Sequence, residues 1–329
     1  MKQQSARLPQ PLYVYSYVCH ESEQALCAME LRALFGNDAG TGGAGYLFSS
    51  KAVEPSRSPF IKLRLDVLCE EDSLEKLAER AGEVRLTDET FKAEFVETGD
   101  APVYEERRAI ERLVGSRIRG KAEMRRPQRR FGIACADGRW LFGDIVKGEA
   151  VWLRHNEKPQ QYSTALGTRV ARAVANIAVP EPRGVRAIDP CCGIGTVLLE
   201  AVSMGIDMTG SDINPLAVRG ARRNLAHFGF DARVSVGSIH AIAGRYDAAV
   251  LDLPYNLCSV LSAEERLAML ESARRLAARV VVIATDAIDD AIAAAGLVTV
   301  DRCEVSKGAF VRHIMLCADD MSGPHAAKT

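Results

Sequence analysis

Val185-Arg-Ala-Ile-Asp189-Pro-Cys-Cys-Gly193-Ile-Gly195-Thr196 decides how this chain folds. A short apolar run, Val185 to Ile188, gives way to an acidic residue and two glycines; an apolar stretch then runs from Thr196 to Met204, with Gly205 placed to stop it. The pattern predicts strand, tight turn and helix. Glycine lets a backbone approach a ligand closely, and a helix that opens at such a turn has amide N–H groups free at its start.

The alternation continues outward. Asp207 to Ile213 reads as a second strand, after which Asn214 caps a helix that has Pro215 at its first position and runs to Phe228. Strands are expected at Ala232 to Val236, Ala248 to Leu251 and Val280 to Ala284, with helices from Ala263 to about Ala277 and from Ala287 to Ala295. Leu297 to Val305 and Phe310 to Cys317, joined by Ser306-Lys-Gly-Ala, close the chain as an antiparallel hairpin. Strand and helix in turn imply an α/β fold with a mainly parallel, doubly wound sheet whose ligands sit at the strands' carboxyl ends.

Bulk composition sets the frame. With 329 residues, 47% of them hydrophobic, the chain has material for two cores. Pro180-Glu-Pro182-Arg-Gly184 marks a boundary. The expected division is an α+β platform over 1–155, a linker and leading helix over 156–182, the α/β domain over 183–318 and a tail over 319–329. Nine cysteines without a Cys-x-x-Cys pair fit reduced thiols and a cytoplasmic protein. No apolar run is long enough to span a membrane, and the six histidines show no metal-ligand spacing, so neither a membrane nor a metal is expected.

The first half is less regular. Tyr13 to Cys19 and Phe60 to Leu68 read as strands around a helix from Glu23 to Leu34, while Ser73 to Ala81, Phe91 to Val96 and Ala109 to Val114 extend an α+β pattern. Phe131 to Ala134 and Trp140 to Val146 form a predicted hairpin around Asp137-Gly138. The net charge of −1 hides an asymmetry, because Arg107 to Arg130 holds ten Lys or Arg against Glu111 and Glu123, a formal +8. A solvated helix face followed by a turn explains such a run, and so do phosphate contacts; no acidic block compensates it locally, which favours RNA contact through Arg117, Arg119, Lys121, Arg125, Arg126, Arg129 and Arg130.

Three places carry candidate chemistry. Asp189 is placed to fix the turn amides, and Asp212, 23 residues further on, stands close to the roughly 20-residue spacing at which a carboxylate meets ribose hydroxyls. Asp212 also suits a turn that starts the next helix. Gly237-Ser238-Ile239 ends the third strand, where an adenine edge is read or a plain loop runs. Vicinal Cys191 and Cys192 are taken as small wall residues rather than a redox pair.

Asp252-Leu253-Pro254-Tyr255 ends the fourth strand and supports the sharpest inference. An exocyclic amine of guanine or adenine is a poor nucleophile because its lone pair is delocalised into the ring. Acceptors that hold both of its N–H bonds favour the pyramidal geometry needed to attack a sulfonium methyl. Asp252 and a main-chain carbonyl of Leu253 or Pro254 supply two such acceptors, and Tyr255 stacks on the base.

Asp189-Pro-Cys-Cys-Gly-Ile-Gly-Thr196, Gly210-Ser-Asp-Ile-Asn-Pro215 with Gly220-Ala-Arg-Arg-Asn224, and Asp252-Leu-Pro-Tyr-Asn256 together resemble the class I S-adenosylmethionine-dependent methyltransferases of the tRNA guanosine-N2 group, typified by the position-10 enzyme and its THUMP-bearing relatives. The resemblance implies a Rossmann-like domain with a terminal antiparallel strand, preceded by a ferredoxin-like and THUMP-like platform. It implies cofactor contacts from Asp189, Cys191, Gly193, Gly195, Asp212, Ile213, Ser238, Ile239 and Asp252. His155-Asn-Glu-Lys-Pro-Gln-Gln-Tyr-Ser-Thr164 and the helix Arg169 to Ile177 resemble the group's linker and leading helix, which places Ser163 or Thr164 near the cofactor. Two positions depart from the group's pattern. Leu253 replaces a proline in the Asp-Pro-Pro-aromatic motif, and Ser238 replaces an acidic residue at the end of the third strand.

The resulting expectation is an RNA methyltransferase acting on the N2 amine of a guanosine in tRNA. Its alternatives are an adenine-N6 methyltransferase on rRNA or DNA, and a non-catalytic RNA-binding protein on the same fold.

Overall fold

The computed structural model describes residues 10–36, 45–99, 102–162, 165–254, 261–307 and 310–320. These residues form two compact units. One contains the residues through Val18 and those from 45 to Glu149; the other contains Cys19 to residue 36 and everything from Ala150 onward.

The first unit is built on a seven-stranded sheet in the order β2-β1-β3-β7-β6-β4-β5. Its strands are β1 (Tyr13–Tyr17), β2 (Tyr46–Ser49), β3 (Ile61–Glu71), β4 (Arg85–Phe95), β5 (Arg119–Ala122), β6 (Arg129–Ala136) and β7 (Arg139–Lys147). The Asp-Gly hairpin is present between β6 and β7, with Asp137 at φ 51° and Gly138 at φ 74°, as a turn matched to strand twist requires. Helices Leu74–Ala81 and Tyr104–Gly115 bury Leu77, Ala81, Ile110 and Val114 against Phe91, Phe131 and Phe142. The basic segment holds an edge strand that its charge pattern concealed: β5 pairs in parallel with β4, and all four of its residues are exposed.

The second unit has the α/β sheet expected from its alternation. β8 (Arg186–Asp189), β9 (Asp207–Asp212), β10 (Val234–Val236), β11 (Tyr246–Asp252), β12 (Ala277–Ala284), β13 (Leu297–Lys307) and β14 (Phe310–Asp319) lie in the order β10-β9-β8-β11-β12-β14-β13. The first five run parallel, and β14 is antiparallel to both β12 and β13. Strand order reverses between β8 and β11, so their carboxyl ends flank the crevice where such sheets bind ligands. The core is nearly continuous Val, Ile, Leu and Ala, including Val280, Val282, Ala249 and Leu251, because both faces of the parallel sheet are covered.

The units divide the chain differently from the expected boundary. Helix Gln24–Phe35 groups with the α/β unit rather than with the platform that precedes and follows it in sequence. The reason is specific pairing: Asn176 Nδ2 donates to the buried Glu30 Oε1 at 2.6 Å, and Arg32 makes a two-pronged contact with Asp301 at 2.8 and 2.9 Å. Residues 150–182 likewise group with this unit, and helix Thr168–Ala178 buries nine of its eleven residues.

A second buried network ties that helix to the one after the glycine loop. Glu200 is wholly buried; its Oε2 accepts from Arg172 at 2.7 Å, and its Oε1 lies 2.8 Å from His155 Nδ1. Removing one partner of such a pair leaves an uncompensated charge in the interior. Glu200→Ala is therefore expected to lower unfolding free energy by about 3–5 kcal/mol, measured by urea denaturation.

Candidate active site

A cleft of about 820 Å³ opens at the carboxyl ends of β8, β9, β10 and β11. The turn after β8 shapes its floor. Gly193 and Gly195 sit at φ 54° and 76°, the left-handed region where a side chain is strained. A Cβ on Gly193 would meet no other atom within 4 Å, so bare backbone faces the cleft. Gly195 has a different role from the one the motif implied. It lies outside the cleft lining, and a Cβ there would come within 3.0 Å of Ala221 Cβ, so its smallness lets helix Pro215–His227 pack against the turn.

Four of the turn amides are engaged within the protein. Cys191 N donates to Asp189 Oδ1 at 3.3 Å, Cys192 N to the Ser211 carbonyl at 2.9 Å, and Gly195 N to the Cys192 carbonyl at 2.7 Å. Gly193 N donates to Asp212 Oδ2 at 2.8 Å, while Asp212 Oδ1 accepts from Asn214 N at 2.8 Å. Asp212 thus clamps the glycine turn and starts the following helix, and only its remaining lone pairs face outward. The turn offers the cleft a fixed shape and close approach of its backbone at Gly193.

Of the residues expected to hold a cofactor, Asp189, Cys191, Gly193, Asp212, Ile213, Ser238, Ile239 and Asp252 all line the one cleft. Ile213 is 74% exposed there, an apolar surface suited to a planar ring. Ser238 caps the short turn Ile239–Ala241 by accepting from His240 N at 3.4 Å, so its hydroxyl is partly committed to local structure. Burial pushes the thiols of Cys191 and Cys192 well up, which keeps them protonated and fits wall residues rather than nucleophiles. Ser163, Thr164 and Tyr255 lie outside the described residues.

Asp252 ends β11. Its Oδ1 is sealed from solvent and has no hydrogen-bond partner among the described residues. Burial pushes its pKa up to about 7, against an opposing pull from the Arg312 guanidinium. Asp189, 3% exposed, is also raised well above the carboxylate range, by burial first and then by the neighbouring Asp252 charge. Leu253 explains the departure from a second proline: its side chain is 5% exposed within the core, and its amide donates to the Ile283 carbonyl at 2.9 Å, a bond proline cannot make. Pro254 is exposed at the rim.

Sequence reading passed over Thr196, whose Oγ1 is buried, lines the same cleft and has no partner among the described residues. It also passed over Gln160, Tyr162, Glu265 and His240, which complete the wall from distant segments. Two orphaned polar atoms, a bare glycine backbone and an exposed Ile213 in one cleft fit a ligand that brings both polar groups and a flat apolar face.

In the first unit, the seven expected RNA contacts divide. Arg117, Arg119, Lys121, Arg125 and Arg126 are exposed. Arg129 instead pairs with Asp144 at 2.6 and 2.9 Å and stacks over Phe131, and Arg130 pairs with Glu94, so both are committed within their own sheet.

Residues 155–286 match the model of the UPF0020 family, described as RMKL-like, methyltransferase domain. A tRNA (guanine(10)-N2)-dimethyltransferase from Methanothermobacter thermautotrophicus is 28% identical over 169 residues, covering 48% of this chain and 50% of the relative. The enzyme of the same name from Pyrococcus abyssi is 28% identical over 165 residues, 46% of this chain and 49% of its own length. The chain spans about half the length of the curated relatives it matches. The crystal structure of TrmN from Thermus thermophilus aligns over 94% of this chain and 99% of its own, with 18% identity and a TM-score of 0.49. Among the described residues, no helix is long and apolar enough to cross a membrane.

The raised Asp252 has a thermodynamic signature. A carboxyl whose pKa climbs from 3.8 to about 7 on folding binds more protons folded than unfolded, so stability falls as pH rises through that interval. Asp252→Asn removes the penalty. Its stability should exceed wild type by on the order of 2–4 kcal/mol above about pH 7, and the gap should close toward about pH 4, as read from urea midpoints across pH.

Proposed function

We propose that this chain transfers a methyl group from S-adenosylmethionine to the exocyclic N2 amine of a guanosine in tRNA. The observation that carries the reading is Asp252, with a sealed carboxylate oxygen at the end of β11 that has no partner among the described residues, in the same cleft as the glycine turn. The names of both curated relatives favour guanine N2 over adenine N6.

The bound cofactor supplies an electrophilic methyl on a sulfonium. Gly193 would admit it by presenting bare backbone, Asp212 holds the turn and would accept from its hydroxyls through the remaining lone pairs, and Ile213 and Ile239 would offer apolar surface to a flat ring. Asp189 and Thr196 add polar contacts from the floor. Asp252 accepts one amine N–H and a main-chain carbonyl of Leu253 or Pro254 the other, which draws the nitrogen lone pair out of conjugation and aims it. The Asp252 carboxylate, poised near neutrality, would take the proton that the amine sheds once the methyl has left the sulfonium sulfur for the nitrogen.

Asp252→Ala is expected to abolish methyl transfer while leaving cofactor and RNA affinity near wild type, since its acceptor acts mainly as the amine pyramidalises. Single-turnover assays on total tRNA, with nucleosides resolved by mass spectrometry, check this. Methyladenosine as the product would establish the adenine alternative, and cofactor binding without transfer to any RNA would establish the non-catalytic one.

RNA affinity is assigned to the exposed cations of the platform, which is read as ferredoxin-like and THUMP-like. Replacing Arg117, Arg119, Arg125 and Arg126 together with Gln should weaken tRNA binding and flatten the slope of log K against log salt by about 0.7–0.9 per lost phosphate contact. Replacing the internally paired Arg129 should change the slope little. Fluorescence anisotropy across a salt series separates the two.

A further inference from the structure

The wall of the cleft formed by Gln160, Gln161 and Tyr162 is irregular chain between helices Val151–His155 and Thr168–Ala178, yet it is held by side chains rather than left loose. Gln161 Nε2 donates back to the Asn156 and Lys158 carbonyls at 2.8 and 3.0 Å, and Thr168 Oγ1 donates to Asn156 Oδ1 at 2.8 Å. One residue reaches this strap from elsewhere in the fold and joins it to the glycine turn. Asn224, wholly buried on helix Pro215–His227, accepts from Gln160 N at 2.8 Å through Oδ1. Its Nδ2 spends one hydrogen on the Gln160 carbonyl at 3.1 Å and the other on the Ile194 carbonyl at 2.9 Å.

The same helix is shaped for that junction. Four residues before Asn224, a Cβ on Gly220 would stand 3.2 Å from Ile194 Cγ2 and 3.7 Å from Gln160 Cβ, so a bare helix surface lies between strap and turn. Only a side chain with one acceptor and two donors in a fixed amide plane satisfies all three main-chain groups at once. Ile194 and Gln160 both line the cleft, whereas Asn224 does not, and its donors are fully used.

We propose that Asn224 is a positioning residue for cofactor binding: it sets the separation between the Gln160–Tyr162 strap and the glycine turn, so that the cleft is formed before the ligand enters. The inference rests on the cofactor reading above. A preformed wall spares the ligand the cost of ordering it, and an amide that pins two backbone segments does so without touching the ligand. Without Asn224, one amide and two carbonyls lose their partners, and the strap moves to find water.

The test compares wild type, Asn224→Ala and Asn224→Asp by calorimetric titration with S-adenosylhomocysteine, alongside hydrogen exchange of the strap in the free protein. Asn224→Ala should weaken binding about tenfold or more and speed exchange at Gln160, at every pH. Asn224→Asp keeps the acceptor for Gln160 N but sets a carboxylate against two carbonyls. It should bind as poorly as the alanine variant near pH 8 and recover affinity and protection toward about pH 5.5, relative to wild type at the same pH, as the introduced carboxyl takes up a proton and can donate again. A general loss of stability would not reverse on acidification in one variant alone. Wild-type affinity in Asn224→Ala, or no acid recovery in Asn224→Asp, overturns the proposal while leaving the cofactor reading standing. A wild-type protein without affinity for S-adenosylhomocysteine overturns both.

Discussion

Asp212 makes the most consequential pair of hydrogen bonds in the second unit. One carboxylate oxygen holds the Gly193 amide and the other the Asn214 amide, so a single side chain at the end of β9 fixes both the turn after β8 and the start of the helix after β9. Charge-assisted bonds to backbone N–H groups are among the stronger ones available. Here they hold left-handed glycines where the chain would otherwise be most mobile. The packing that Gly195 and Gly220 permit against helix Pro215–His227, and the reach of Asn224 to the strap, presuppose that turn geometry.

Against this rigid floor the reactive corner is built with an electrostatic cost. Asp252 and Asp189 are carboxyls in a poorly solvated cleft, each raised by burial, with Arg312 the cation that opposes the shift at Asp252. A structural carboxylate would be paired locally, as Asp144 and Glu94 are with Arg129 and Arg130 in the first unit. Groups held away from their ordinary pKa in a cleft are where chemistry is expected. The oxygens of Asp252 and Thr196 that lack partners among the described residues point the same way, since native interiors rarely leave buried polar atoms unsatisfied unless a ligand supplies the bond.

The first unit treats its cations in two opposite ways, and charge counting alone cannot see the difference. Arg129 and Arg130 sit on a central strand whose neighbours bring Asp144 and Glu94 beside them, so they neutralise their own sheet. Arg119 and Lys121 sit on the edge strand β5, where only one side has a neighbour, and their charge remains exposed. An edge strand rich in cations resists pairing with other chains and remains available to phosphates.

Local pattern was enough for the α/β unit. The order of its strands and helices, the antiparallel end, the Asn214 cap and the Asp137-Gly138 hairpin of the first unit were legible because each depends on periodicity or turn chemistry within a few residues. Clustering of the glycine turn, Asp212 and Asp252 in one cleft was legible too, since parallel strands bring their carboxyl ends together. What only the tertiary structure decided were the partnerships across long stretches of chain. These include helix Gln24–Phe35 belonging to the second unit through Glu30 and Arg32, Asp212 spending its oxygens on backbone, Gly195 serving a helix contact, Leu253 filling the core, and Asn224 reaching Gln160. Each turns on which donor meets which acceptor, or which surface leaves room for a Cβ. A one-dimensional pattern does not carry that information, because it records residue types and spacing but not the distances that folding creates.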